Sequence, residues 1–259
     1  MNQKEKRLFL IQGLLREQPQ YQHIAIPQEA PEQKRLLRSL VNVRPPRPAS
    51  REFLAVQDDY LREELAQKAV VEIADLPPLE EGICLWQGDI TTLRCDAIVN
   101  AANSRLTGCY VPCHNCIDNC IHTFAGVQLR QECGSIMAAQ GHEEPTGQAK
   151  ITRGYNLPCK YVLHTVGPII EGPVRREDRE ALASCYRSCL LLAAEHGLAS
   201  IAFCCISTGV FHFPNREAAE IAVNTVRGFL RQKTSIEKVI FNVFQDQDKQ
   251  IYQKLLSGN

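Results

Sequence analysis

A short stretch at residues 107–126, TGCYVPCHNCIDNCIHTFAG, concentrates side chains that bind metals. Thiolate and imidazole are ligands that zinc prefers; a structural zinc site has four protein ligands, whereas a catalytic one has three and an open position. One three-ligand set lies within eight residues and consists of Cys109, His114 and Cys116. Adding Cys113 or Cys120 would complete a four-ligand structural site. The residues therefore predict metal binding and leave both kinds of site open.

The remaining members of the stretch have simpler interpretations. If NCIDNCIHTFAG is helical, Cys116 and Cys120 share a face, and Cys120 then packs inward as free cysteines commonly do. His122 is equally suited to a core or a capping position. PCHNC at 112–116 and HEE at 142–144 match parts of a zinc deaminase signature, but their order is reversed, so we interpret that match as chance.

Polar and small residues follow three apolar runs and could bind a ligand. AIVNAANSRLTG contains Asn100 and Asn103, CCISTGVFHFP contains the segment 207–209, and QGDITTL contains Asp89. A hydroxyl- and glycine-rich segment after a buried strand can offer backbone N–H groups to a phosphate. Turns and helix caps are the simpler interpretation of each segment alone. Neither GxxxxGK[ST] nor GxGxxG occurs, so ordinary nucleotide-binding loops are not indicated.

These segments require an α/β framework from residue 83 onward. Apolar runs at 83–87, 97–102, 161–167, 200–206 and 238–244 predict buried strands. Helical patterns occupy 125–141, 176–197, 215–233 and 246–257, the last with an acidic N-cap. Strands alternating with helices predict a layered sheet with helices on both faces, and ligands in such sheets bind at the carboxyl ends of the strands.

Residues 1–78 differ in composition and in the spacing of their apolar residues, and they predict a separate helical N-terminal extension. Leucines and isoleucines recur there at helical spacing, which indicates two or three helices, and Ser50 is placed to cap one of them. We interpret this region as a packing appendage without chemistry. The predicted domains are therefore 1–78 and 79–259.

Composition limits the function classes. The chain has 259 residues, of which 44% are hydrophobic, and its 29 basic and 29 acidic residues give a net charge of zero. This balance gives no strong nucleic-acid signal. No apolar stretch is long enough to span a bilayer, and no secretory signal is recognisable, so we expect a cytoplasmic protein. Because disulfides are rare in reducing compartments, the 12 cysteines favour metal or redox use.

The ordered motifs GDITTLRCDAIVNAANSRL, CIDNCIHTFAG, YVLHTVGP and ISTGVFHFP resemble those of the macrodomain, a three-layer α/β/α fold with a mixed sheet that binds ADP-ribose. The resemblance covers residues 83–259. Most hydrolases of this group have a glycine-rich loop where this chain has GCYVPCHNCIDN. That difference resembles the zinc-dependent macrodomains found beside sirtuin-type transferases, which also have a helical extension. Their Cys-x4-His-x-Cys pattern implies zinc ligands at Cys109, His114 and Cys116.

The resemblance also implies a role for each matching residue. It assigns adenine binding to Asp89 and Ile90, the distal ribose to Asn103, and a stacking position near adenine to Phe244. The remaining matches form the two loops over the phosphates and distal ribose: Ile117, Asp118, Asn119, Ser207, Thr208, Gly209, Val210 and Phe211. Asp118 falls on the position of the catalytic aspartate, whereas His212 stands where glycine is frequent.

The implied activity is a zinc-dependent hydrolase that removes mono-ADP-ribose from modified proteins, with an ester to an acidic side chain as the bond cleaved. The implied catalytic residues are Asn103 and Asp118. The implied partners are ADP-ribose, an ADP-ribosylated protein and a sirtuin-type ADP-ribosyltransferase pathway. Two alternatives stay open from the residues: a non-catalytic ADP-ribose-binding module with a structural zinc, and a zinc-stabilised partner-binding protein.

Overall fold

The N-terminal extension consists of three helices with a small core of their own. A computed structural model describes residues 1–258 and gives α1 as Gln3–Glu17, α2 as Ala30–Val43 and α3 as Arg51–Ala66. The buried side chains between them include Leu10, Leu14, Leu37 and Phe53. Ser50 caps α3, as predicted, by accepting a hydrogen bond from the Phe53 N–H at 3.1 Å. The extension is helical because its apolar residues recur at helical spacing and can bury one face of each helix.

The rest of the chain alternates strands and helices. In chain order the elements are β1 (Val71–Glu72), β2 (Pro78–Glu80), β3 (Ile83–Gln87), β4 (Leu93–Arg94), β5 (Ala97–Ala101), α4 (Ile117–Ala125), α5 (Val127–Gln140), β6 (Ala149–Arg153), β7 (Tyr161–Thr165), α6 (Arg176–Glu195), β8 (Ser200–Phe203), α7 (Asn215–Leu230), β9 (Lys238–Val243) and α8 (Asp246–Leu256). The five predicted strands and four predicted helices are all present, several with shorter ends. The predicted boundary at residue 78 coincides with the first residue of β2.

One seven-stranded sheet has the order β2-β3-β9-β8-β5-β7-β6. Its five inner strands are parallel, and the edge strands β2 and β6 are antiparallel to their neighbours. The predicted α/β fold with a mixed sheet is therefore confirmed. Parallel inner strands place the carboxyl ends of β3, β9, β8, β5 and β7 along one edge, which is where ligands bind in this architecture.

The helix predicted over 125–141 is present as α5 but begins two residues later, because a separate helix, α4, precedes it and Gly126, with φ at 100°, divides the two. A positive φ of this kind favours glycine because a Cβ atom is strongly disfavoured there. The prediction of an acidic N-cap for α8 was wrong. The N-cap is Gln245, and the acidic residues Asp246 and Asp248 lie in the first turn of the helix instead. Within residues 1–258, no helix is both long and apolar enough to cross a membrane.

Candidate active site

The loop between β5 and α4 brings the three predicted metal ligands together. The ligand atoms of Cys109, His114 and Cys116 all lie within 4.8 Å of one another, and the three residues are half-buried. Cys109 Sγ lies 3.5 Å from His114 Nδ1. Two thiols and one imidazole at this separation form a donor set that suits zinc. Among residues 1–258, this group of candidate ligands has three members, which leaves room for a non-protein ligand.

Cys116 has a second role as the N-cap of α4. Its Sγ accepts a hydrogen bond from the Asn119 N–H at 3.4 Å. Burial, together with the neighbouring Cys109, raises the pKa of the Cys116 thiol to about 12. A bound cation would reverse this preference, because thiolate is the form that coordinates metal. Metal binding at this site would therefore release a proton from Cys116.

Cys113 and Cys120 stand outside the three-ligand group. Cys113 is the third residue of a tight turn, closed by a hydrogen bond from the His114 N–H to the Val111 carbonyl at 3.2 Å. Its φ is 55°, and Pro112 precedes it, the pattern of a type II turn that usually has glycine at this position. Cys120 Sγ instead lies 3.6 Å from Arg38 on α2. The four-ligand closure considered for the sequence is thus not formed here.

Asp118, the predicted catalytic residue, is buried and held by two amides. Asn100 Nδ2 donates to its Oδ1 at 2.8 Å, and Asn103 Nδ2 donates to its Oδ2 at 3.2 Å. Burial raises the pKa of this carboxyl group to about 6, while the two amides and Arg130 oppose the rise. The carboxylate is therefore ionised at neutral pH and becomes protonated in mildly acidic solution.

Two buried histidines lie behind Asp118. His164 Nδ1 is 3.1 Å from Asn100 Nδ2, and its Nε2 is 2.9 Å from Thr152 Oγ1. Burial lowers the pKa of His164 to about 3, so this imidazole is neutral. His122 Nε2 lies 3.6 Å from Asp118 Oδ1, and burial also lowers the pKa of His122. The network fixes Asn100, and through it the carboxylate of Asp118.

The second predicted loop follows β8. Ser207 is buried with φ at 65°, and the Phe213 N–H donates to the Ser207 carbonyl at 2.9 Å, which closes the loop. Within residues 1–258, the backbone N–H groups of Gly209, Val210 and Phe211 make no intramolecular hydrogen bond. Three free N–H groups in one short loop suit an anion such as a diphosphate.

Two neighbours define the shape of this loop. A Cβ atom added to Gly167 would lie 2.0 Å from Ser207 Oγ, so the Ser207 side chain occupies the space that a larger residue would need. His212 has φ at 58° and donates its N–H to the Gly209 carbonyl at 3.0 Å. This left-handed backbone explains why glycine is frequent at the matching family position. Thr208 turns its hydroxyl inward, where it donates to the Cys205 carbonyl at 3.1 Å.

The predicted adenine-binding residues lie at the ends of β3 and β9. Asp89 caps the short 3-10 helix Ile90–Thr92 by accepting from the Thr91 N–H at 3.0 Å, and it also pairs with Lys68 at 3.1 Å. Ile90 is buried beneath it. Phe244 is 77% exposed directly after β9, so its ring is free to stack. The cap interpretation of Asp89 is correct, and the carboxylate also remains partly accessible.

Asn119 and Ile117 complete the predicted set. Asn119 is fully buried and its amide is occupied by the loop: Nδ2 donates to the Val111 carbonyl at 3.0 Å, and Oδ1 accepts from Arg38. The side chain thus shapes the loop and is not free for a ligand. Ile117 is half-buried at the first position of α4, where helix N–H groups are unpaired and attract anions.

Sequence reasoning missed several residues that organise the site. Arg130 is buried on α5 and donates to the Cys109 carbonyl at 3.3 Å. Arg38 and Asn42 on α2, and Lys68 after α3, reach the site from the N-terminal extension. The sequence offered one indication of this hydrogen-bond network, the polar residue Asn100 inside an apolar strand. A buried amide is normally hydrogen-bonded to another protein group, which here includes Asp118.

Comparison with known proteins identifies the family. A family model described as Macro domain matches residues 99–222. The chain is 60% identical over 261 residues to the protein-ADP-ribose hydrolase of Treponema medium, covering 99% of this chain and 100% of that protein. The chain belongs to the macrodomain family. This macrodomain is also 52% identical to the protein-ADP-ribose hydrolase of Staphylococcus aureus strain MSSA476, covering 97% of this chain and 95% of that protein.

A solved structure agrees with this assignment. The macrodomain of Trypanosoma brucei in complex with ADP-ribose has a TM-score of 0.66 and is 34% identical, covering 85% of this chain and 94% of that chain. The predicted macrodomain fold is therefore confirmed. Near-full-length identity to named hydrolases also confirms the prediction of an enzyme of the protein-ADP-ribose hydrolase class.

Proposed function

We propose that this macrodomain removes mono-ADP-ribose from modified proteins and that a zinc ion bound by Cys109, His114 and Cys116 takes part in the reaction. The observation that carries the zinc proposal is the convergence of two thiols and one imidazole within 4.8 Å. The names of the hydrolase relatives support the substrate class.

The chain's own groups suit ADP-ribose from one end to the other. Asp89 and the exposed ring of Phe244 lie where adenine would bind, and the free N–H groups of loop 209–211 would receive the diphosphate. Anions bind well to such N–H groups because each donates without losing an existing hydrogen bond. Asn103 donates to the Gly108 carbonyl beside the segment 109–116 that contains the candidate metal ligands, called the metal loop below. It would then orient the distal ribose.

Asp118 and Asn103 hold the reacting end of the substrate in this proposal. Asp118 is ionised at neutral pH, and its carboxylate can accept a hydrogen bond from a water molecule or a ribose hydroxyl. A bound zinc ion supplies a Lewis acid that polarises oxygen and lowers the pKa of bound water. We propose an ester to an acidic side chain as the bond cleaved, on the family resemblance.

The setting of the reaction follows from the same resemblance. We propose that a sirtuin-type transferase attaches the ADP-ribose that this enzyme removes. We also propose a cytoplasmic location, because a site built from cysteine thiolates suits a reducing compartment. Cysteine side chains remain thiols in compartments that are kept reducing, where disulfides are rare.

Release of ADP-ribose from a mono-ADP-ribosylated protein tests the proposal. The enzyme is assayed as purified, after removal of metal by a chelator, and after zinc is restored, with ADP-ribose affinity measured in each state. We expect hydrolysis to stop without metal and to return with zinc, while ADP-ribose still binds. Unchanged hydrolysis by metal-free protein would remove zinc from the mechanism. Binding of ADP-ribose without hydrolysis in every state would favour the non-catalytic module.

A further inference from the structure

Helix α2 of the N-terminal extension contacts the metal loop through Arg38. Its Nη2 donates to the carbonyl of His114 at 2.7 Å and to Asn119 Oδ1 at 3.0 Å. His114 is one of the three candidate ligands, and Asn119 in turn donates to the loop carbonyls of Val111 and Cys109. A single half-buried guanidinium group thus hydrogen-bonds the loop directly at His114 and, through Asn119 of α4, indirectly at Val111 and Cys109.

Asn42, one turn further along α2, holds the turn that precedes His114. Its Oδ1 accepts from the Cys113 N–H at 2.9 Å, and its Nδ2 donates to Thr123 Oγ1 on α4 at 2.9 Å. The side chain is fully buried, so both hydrogen bonds are shielded from water. The amide therefore bridges the metal loop and the helix whose N-cap is the ligand Cys116.

The turn needs such an anchor because its backbone is unfavourable. Cys113 has φ at 55°, in the left-handed region that residues other than glycine seldom adopt. Strained backbone of this kind persists only where the surroundings fix it. Without the bond from Asn42, the turn could relax and carry His114 away from Cys109 and Cys116.

We propose that Arg38 and Asn42 are positioning residues of the metal site, so that the N-terminal extension completes the active site and is more than a packing appendage. The inference rests on the proposed zinc site. Groups that orient metal ligands typically change metal affinity by about 10- to 100-fold when removed. The hydrogen bonds of both residues go to the loop backbone and to side chains of α4, and none goes to a candidate ligand atom.

Zinc affinity, measured by competition with a chromogenic chelator, tests the role of Arg38. Arg38→Met removes the donors and keeps the length of the side chain. We expect about 10- to 100-fold weaker zinc binding, with ADP-ribose affinity within about twofold of the wild type because the hydrogen bonds of Arg38 go to His114, Asn119 and Cys120 and to none of the proposed adenine or diphosphate contacts. Arg35→Met is the matched control: Arg35 is exposed on the same helix, and its side chain forms no hydrogen bond within residues 1–258.

A second pair of variants separates positioning from general stability. Asn42→Leu removes both hydrogen bonds of the bridge, whereas Thr123→Val keeps the bond between Asn42 and Cys113 and removes only the hydroxyl that bonds Asn42 and the Asn119 carbonyl. Both should lower the melting temperature, but only Asn42→Leu should weaken zinc binding. Arg38→Lys, which keeps the charge without the planar donor group, should bind zinc with intermediate affinity and provides the test if Arg38→Met does not fold.

The outcomes distinguish this inference from the proposed function. Wild-type protein without zinc overturns both. Wild-type protein that holds zinc, together with Arg38 and Asn42 variants of unchanged zinc affinity, overturns only the positioning role. Equal loss of zinc and ADP-ribose affinity in these variants also overturns it, because a general loosening of the fold would then explain the result.

Discussion

Asn103 donates a hydrogen bond from its side-chain amide to the carboxylate of Asp118 at 3.2 Å, although the two residues lie 15 positions apart. The same amide group donates to the Gly108 carbonyl at 3.2 Å, and Asn103 Oδ1 accepts from the Arg105 N–H. The end of β5 and the start of α4 are therefore joined by the hydrogen bond from Asn103 to Asp118. The two predicted catalytic residues are thus in direct contact.

Removal of this link should affect turnover more than binding. We expect Asn103→Ala to lower the single-turnover rate by about a hundredfold, the order found when one preorganised donor is removed. ADP-ribose affinity should change little, because adenine and diphosphate contacts remain. Single-turnover kinetics and calorimetry on the same variant check this. A loss confined to KM would show that Asn103 binds the ground state and the transition state equally.

The ligand cysteines and the turn cysteine should respond differently to substitution. Cys116→Ser should fold, because serine is a better N-cap for α4 than cysteine, but it should lose zinc and most hydrolysis. Cys113→Gly should keep one zinc per chain, because glycine readily adopts the φ of 55° found there. Elemental analysis and circular dichroism of both variants provide the measurement. Zinc loss in Cys113→Gly would instead make Cys113 a fourth ligand.

Asp89 caps the short helix Ile90–Thr92 and is also the proposed contact to adenine. The substitution Asp89→Asn tests the two roles separately. Asparagine caps helices as well as aspartate does, so the fold should keep its stability. ADP-ribose affinity should fall by about 1.5 kcal/mol, the low end for a hydrogen bond to a charged group, because the carboxylate is partly exposed. Calorimetry and thermal unfolding together test both statements. Full affinity in this variant would limit Asp89 to the cap and the Lys68 pair.

Gly167 should be essential for the second loop. In Gly167→Ala, the added Cβ would lie 2.0 Å from Ser207 Oγ and 2.9 Å from Ile206 Cγ2, so the side chains at the start of the loop must move. We expect at least about tenfold weaker ADP-ribose binding, since its N–H groups would no longer converge. Gly228→Ala on α7 is the control, because no atom lies within 4 Å of its added Cβ. Equal affinity in both variants would contradict the assigned role of the loop.

The buried His164 should make the protein sensitive to acid. Its folded pKa is about 3 against an ordinary value of 6.5, so between these values the unfolded chain binds a proton that the folded chain excludes. Stability is therefore full above pH 6.5 and is lost as the pH falls towards 3, by about 1.4 kcal/mol per pH unit for one such group. Urea unfolding at about pH 7, 6 and 5 should show that the free energy of unfolding falls less steeply with decreasing pH in His164→Gln than in the wild type. Parallel slopes would mean that His164 is not protonated differently in the two states.

The sequence by itself determined the elements and the chemical types at the site. The apolar run 97–102 predicted a strand and the helical pattern 215–233 predicted a helix. Such predictions succeed because the spacing of apolar residues along the chain determines which local structure can bury them on one face. The spacing of Cys109, His114 and Cys116 within one loop likewise indicated a metal site, since short loops bring their own residues together. The family resemblance added the assignment of Asp118.

Only the tertiary structure decided how these residues are supported. The contact of Arg38 with His114 spans 76 positions, and that of Asn42 with Cys113 spans 71. No periodicity or motif in residues 1–78 indicates such contacts, because they arise from the packing of α2 against α4 and not from local preference. For the same reason the burial that sets the pKa of Asp118 and His164 was not visible in the sequence: it depends on which elements cover a side chain in the folded protein.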